Sequence, residues 1–206
     1  PLDAVTAQPL AGTEGAQYPF WSPDSRSVGF FATGKLKRVD IAGGPPQTLA
    51  NASGGRGGTW SPDGAILFSP GTASPIFRIP ASGGEAVAVT KMDAPRQTSH
   101  RFPQFLRGGR QFLFYAMGSA DAQGIYIGSL DAPEIRRLTA ADTAGLYAPS
   151  GWLLFVRGGK LLAQRLDLSR RALTGDPVTV ADSVAFKMEA GALSVSSSGL
   201  VAYRSG

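Results

Sequence analysis

The segment FWSPDS at Phe20–Ser25 returns as TWSPDG at Thr59–Gly64, and a segment that recurs at such a distance dictates a repeated architecture. Weaker copies follow. Their turn positions fall at Ser25, Gly64, Gly109, Gly151 and Gly199, with spacings of 39, 45, 42 and 48 residues. A period near forty with this drift predicts a small antiparallel sheet with variable loops, repeated about an axis.

The turn has a physical logic. Pro23 and Pro62 fix φ for the second position of a type I turn, and the following Asp suits the third. Gly64 can take the left-handed conformation that closes a bulged hairpin, and Ser22 and Ser61 can bond back to the turn. Asp24 and Asp63 are therefore turn formers before they are anything chemical. A large apolar residue precedes each turn (Trp21, Trp60, Phe105, Tyr147, Val195) and an aromatic follows it (Phe30, Phe68, Phe114, Phe155, Tyr203). The intervals within these pairs are 9, 8, 9, 8 and 8 residues. A one-residue slip would turn a strand inside out, so the difference is assigned to hairpin length and both sets are expected in the core.

A third strand is predicted in each copy, at Leu36–Ile41, Ile76–Ala81, Ile125–Leu130 and Leu161–Leu166. Short polar fourth strands are expected at Pro46–Leu49, Glu85–Thr90, Ile135–Thr139 and Pro177–Ala181, as befits sheet edges. Nothing shows a sustained helical period. Four strands per copy describe one blade of an all-β propeller. Pro1–Leu10 aligns with Asp40–Leu49, and Leu193–Val195 with Leu200–Tyr203 supply two further strands. The expectation is four whole blades plus partial blades at both ends, a fragment of a ring of about six blades. The divisions are 1–15, 16–52, 53–96, 97–141, 142–188 and 189–206.

Composition narrows the chemistry. The 206 residues carry 20 Lys and Arg against 15 Asp and Glu, a net charge of +5, but the basic residues are scattered. A nucleic-acid face needs them continuous and interleaved with stacking aromatics, so nucleic acid is not expected as a partner. No apolar run is long enough to span a bilayer, and no membrane contact is expected from this chain. With no Cys and one His, His100, thiolate chemistry and multi-histidine metal sites are excluded within it. No G-x-S-x-G elbow occurs. Gly54-Gly55-Arg56-Gly57-Gly58 lacks the Lys-Ser/Thr of a phosphate loop and reads as an inter-blade link. No catalytic residue, cofactor or metal is expected, and the chain is read as not itself an enzyme.

Binding is expected where one blade's outer strand crosses to the next blade's inner strand, near the central channel. Those links carry Glu14, Gln17, Arg56, His100, Arg101, Asp142 and Glu189. Charges of both signs around one mouth suit a small polar ligand or a protein loop, although solvated loop charges have the same composition. His100 and Arg101 are the leading candidates. Open blade edges are expected to favour self-association.

FWSPDS, TWSPDG and their aromatic-ended strands resemble the WD-like repeats of TolB-type β-propellers over about Leu2–Tyr203. AGTEGAQYPFWSPDSRSVGFFA and LTAADTAG are similar to the C-terminal propellers of bacterial membrane-bound serine/threonine kinases. That resemblance implies a non-catalytic interaction or ligand-sensing module, periplasmic or otherwise extracytoplasmic. The alternative is a propeller gating substrate access in a prolyl oligopeptidase-like hydrolase.

Overall fold

Short apolar segments punctuated by Gly and Pro form strands, and the computed structural model, which describes residues 9–187, 189–196 and 198–205, contains no helix among them. The first sheet comprises β1 (Gln17–Trp21), β2 (Ser27–Ala32), β3 (Lys35–Asp40) and β4 (Gln47–Asn51). The second comprises β5 (Gly58–Trp60), β6 (Ala65–Phe68), β7 (Phe77–Pro80) and β8 (Val87–Ala88). The third comprises β9 (Gln97–Phe105), β10 (Gln111–Gly118), β11 (Gly124–Ser129) and β12 (Ala132–Thr139). The fourth comprises β13 (Leu146–Ala148), β14 (Trp152–Arg157), β15 (Lys160–Asp167) and β16 (Ala172–Ala181). Two narrow ladders follow, β17 (Phe186–Lys187) with β18 (Ala190–Gly191) and β19 (Leu193–Val195) with β20 (Val201–Tyr203). Every pairing is antiparallel and each four-stranded sheet runs in sequence order, which is the blade topology of a β-propeller.

The hairpins explain the alternating intervals. Trp21 pairs with Val28 and Phe105 with Phe112, whereas Trp60 pairs with Ile66, Tyr147 with Leu153 and Val195 with Val201. The extra residue of the longer copies lies inside the turn, so the aromatics keep their face. In the second copy the buried Ser61 hydroxyl donates to the Asp63 carboxylate and accepts the Ala65 amide at 3.0 Å. Ser22 repeats this, donating to Asp24 at 2.6 Å and accepting from the Ser27 amide at 2.8 Å. These bonds hold both carboxyls below their usual range, as expected of turn formers.

Packing follows from the two-residue period of a strand. One face of the second sheet (Ile66, Phe68, Ile79) meets Phe31, Leu36 and Leu49 of the first. Its other face (Leu67, Ile76) meets Phe112, Phe114 and Tyr126 of the third. Leu113, Tyr115, Ile125 and Ile127 then meet Leu153 and Phe155, and Leu154, Val156 and Leu161 receive Leu193, Val195 and Val201. Phe30, Phe68, Phe114 and Phe155 are all buried, as expected.

Several strand-level expectations are corrected. Trp21 is 60% exposed and Tyr203 48% exposed. Trp21 shares the Phe30 face, where Leu10 packs but no described sheet does, and β20 is the outer strand of its ladder. The fourth strands are not uniformly short, because β16 extends back to Ala172. Gly175-Asp176-Pro177, at and before the predicted start of this strand, forms an edge bulge opposite Gln164, whose Nε2 donates to the Gly175 carbonyl at 2.6 Å. An edge strand tolerates proline because its outward amide has no ladder partner to lose. The alignment of Pro1–Leu10 falls, up to residue 8, outside the described residues.

The depth of the turn network sets the first prediction. S61A should lower unfolding free energy by about 1–2 kcal/mol, because it strands the buried Ala65 amide. The equivalent S196A, at an exposed turn whose hydroxyl accepts the Leu200 amide at 2.9 Å, should cost less than about 0.5 kcal/mol. Urea unfolding of both variants checks this, and equal losses would sink the buried-turn account.

Candidate functional site

Strand polarity puts the links between successive sheets on one face of the molecule, together with the β2–β3, β6–β7, β10–β11 and β14–β15 connections. The inner strands are bulged where they reach this face. Gln17 pairs with Phe31 but Phe20 with Gly29, and Arg101 pairs with Tyr115 but Gln104 with Leu113. At the bulges Tyr18 (φ 49°) and Phe102 (φ 50°) are left-handed, a conformation costly for aromatic residues and frequent at functional sites. Each is followed by a proline. Their rings meet edge-on at 5.6 Å and, with Gly57, Gln104 and Gly145, line an axial cavity of about 270 Å³.

The seven sequence candidates separate here. Arg101 and Glu189, 88 residues apart in the chain, form an ion pair at 2.7 Å whose side chains are only 12% and 24% exposed. Arg101 is fixed further, its Nε donating to Ser99 Oγ at 3.0 Å and its Nη2 to the Thr72 carbonyl at 3.3 Å. Asp142 is half-buried and accepts the Gly159 amide at 3.4 Å. Gln17 and Arg56 line a separate cavity between the first two sheets. Glu14 is exposed and accepts the Gly12 amide at 3.3 Å.

His100 is corrected. It lies within β9 and is fully buried, not in an open link. Neighbours on a strand face opposite ways: Arg101 pairs with Tyr115 toward the fourth sheet, and His100 with Ala116 toward the second. Its Nδ1 lies 2.8 Å from Thr90 Oγ1 and its Nε2 3.0 Å from Gln97 Oε1, and its ring packs 4.6 Å from that of Phe114. Both nitrogens are engaged, so it is a satisfied core histidine.

Tyr115 is a neighbour of the pair that sequence reasoning did not single out. Its hydroxyl donates to the Ala141 carbonyl at 3.0 Å. Burial, and then the negative charge of Glu189, push it up to about 12, so it stays protonated beside the ion pair. The Tyr18-Pro19 and Phe102-Pro103 pairs, each three residues before the apolar position ahead of the turn, were the signal for the axial cavity.

No family model matches the chain, and no curated protein matches it either. Solved structures do. A gluconolactonase from Xanthomonas campestris is similar with a TM-score of 0.71 and 15% identity, over 93% of this chain and 70% of that one. Regucalcin from Agrobacterium tumefaciens, named as calcium-binding, gives 0.66 and 16%, over 91% and 66%. TolB from Acinetobacter baumannii gives 0.60 and 17%, over 74% and 41%. The chain thus spans from two-fifths to seven-tenths of these structures, and at such identities they establish a TolB-like β-propeller fold.

They also correct the functional expectation. The chain was read as a non-catalytic interaction or sensing module, with a gating propeller as the alternative, and as not an enzyme. Proteins named gluconolactonase share its fold over 93% of its length, which overturns that reading. The expectation failed because it searched for local catalytic motifs, whereas a propeller draws single residues from separate blades. Among the described residues no group of three or more His, Cys, Asp or Glu side chains is placed to hold a metal ion.

The buried imidazole sets a pH dependence. Burial lowers His100 from 6.5 to about 4. The unfolded chain takes up this proton near pH 6.5 and the folded chain only near 4, so the stability contributed above pH 6.5 is lost as pH falls toward 4. Between pH 7 and 4, the stability gap between the parent and H100Q should shrink by roughly 3 kcal/mol. Denaturant unfolding across that range measures it, and a gap independent of pH contradicts a neutral buried ring.

Proposed function

We propose that the chain is a hydrolase of lactonase type, opening a small polar cyclic ester beside Arg101 and Glu189. The observation that carries this is the pair itself: a cation and a carboxylate held side by side, mostly withdrawn from water, on the face where the links converge. Fold likeness to proteins named gluconolactonase supports the substrate class.

The chemistry asked of the pair is modest. Arg101, held by Ser99 and Thr72, directs its N–H groups at the carbonyl oxygen, where negative charge develops as water adds. Glu189 accepts the proton of that water as general base. The acyl C–O bond of the ring then breaks, and the same proton returns to the departing ring oxygen, leaving a hydroxy acid. Tyr115, kept protonated, adds no competing anion beside Glu189. We further propose an extracytoplasmic location, on the likeness of AGTEGAQYPFWSPDSRSVGFFA to kinase-borne propellers.

Acid release from glucono-δ-lactone and a panel of simple γ-lactones, followed with a pH indicator, tests the reading. The purified chain should exceed spontaneous hydrolysis, and E189Q should lower kcat/KM by about 10²-fold or more, mainly in kcat. Absence of turnover by well-folded protein, or an E189Q variant as fast as the parent, would refute it.

A further inference from the structure

The apolar residues that precede the later turns, Trp60, Phe105, Tyr147 and Val195, serve two sides. Each packs on an inter-sheet core yet is only half-buried. All four also line one cavity of about 500 Å³, together with the turn prolines Pro62 and Pro149. The cavity opens at the turn end of the axis, opposite the face that carries Arg101 and Glu189. Small-molecule sites have such volumes and such walls, with a few placed polar groups that fix the ligand.

The placed polar group here is Gln104. Its Oε1 accepts the Tyr147 amide at 2.8 Å, which fixes the side-chain orientation and leaves Nε2 as a donor without a protein partner. Among the described residues only Arg56 Nε is both buried and unpartnered, so solvent reaches Gln104 Nε2. The cavities that Gln104 borders are this one and the smaller axial one, and Thr59 borders both as well. The Thr59 hydroxyl accepts the Phe105 amide at 3.2 Å and, among the described residues, donates to nothing. Two donors therefore stand where the axial cavities adjoin. No charged residue lines the smaller cavity, and Arg107, the one along the larger, is exposed. The donors call for an acceptor and the aromatic walls for a ring, whereas an anion would lose its water without a fixed counterion. We propose that this turn-end cavity binds an uncharged ring compound whose carbonyl accepts from Gln104 Nε2. The site does not depend on any reaction at Arg101 and Glu189.

Benzamide, a ring with an amide carbonyl and no ester to hydrolyse, is the probe. It is titrated into the intact nitrogen-15-labelled chain, and NMR follows the Gln104 side-chain amide, assigned by its loss in Q104E. The expected result is a saturable shift with a dissociation constant in the low millimolar range. Q104E keeps an oxygen for the Tyr147 amide but turns the free donor into an acceptor. Read on the Phe105 and Tyr147 backbone amides, it should bind benzamide at least roughly tenfold more weakly. The parent should bind benzoate and the ring-free acetamide at least roughly tenfold more weakly than benzamide. This ligand comparison uses the parent alone and decides the matter whether or not Q104E folds. Four outcomes overturn the proposal: no saturation by about 50 mM benzamide, as for a channel holding water only; undiminished affinity in folded Q104E; benzoate or acetamide binding as tightly as benzamide; or shifts centred on Arg101 rather than Gln104.

Discussion

Burial of one sheet against the next is the interaction on which the rest of this structure depends. A four-stranded sheet with apolar side chains on both faces is not stable in water alone. Here Phe68, Phe114 and Phe155 each wedge into the face of the preceding sheet, while the alternate residues Leu67, Leu113 and Leu154 serve the opposite side. Fully burying such a side chain contributes about 1.5–3 kcal/mol, and each interface collects several. The same alternation decides what is available for chemistry. Had β9 slipped by one residue, His100 would face the fourth sheet and Arg101 would be driven into the apolar interface with the second.

Much of this architecture was legible because it is local. Ser-Pro-Asp is a turn wherever it occurs, and the alternating 9- and 8-residue intervals reported a hairpin difference that Trp21↔Val28 and Trp60↔Ile66 display. Elements set by tertiary context were not legible. Trp21 has the same sequence environment as Trp60, yet only Trp60 has a described sheet to pack on. Gly175-Asp176-Pro177 carries every loop signal and still continues an edge strand, because a bulge absorbs the extra residues.

The site was half legible for the same reason. Counting links between blades brought Arg101 and Glu189 to one face, but nothing in the sequence could say that these two meet while Glu14 stays at the surface. His100 looked functional because it was placed in a link just ahead of the strand carrying Phe105, and its burial between Thr90, Gln97 and Phe114 is a matter of strand parity. Tyr115 drew no sequence signal, since its influence runs through space to Glu189.

The separation of Arg101 from Glu189 has a kinetic meaning. Glu189 sits between β17 and β18, in a ladder only two strands wide, whereas Arg101 belongs to the nine-residue strand β9 of a four-stranded sheet. Hairpins close in microseconds, and narrow elements with few buried contacts have the lowest local stability. The third and fourth sheets can therefore form and pack before the carboxylate arrives. A molecule caught at that stage has nearly its full complement of strands and none of its ion pair. On heating, the pair should correspondingly be lost before the sheets melt.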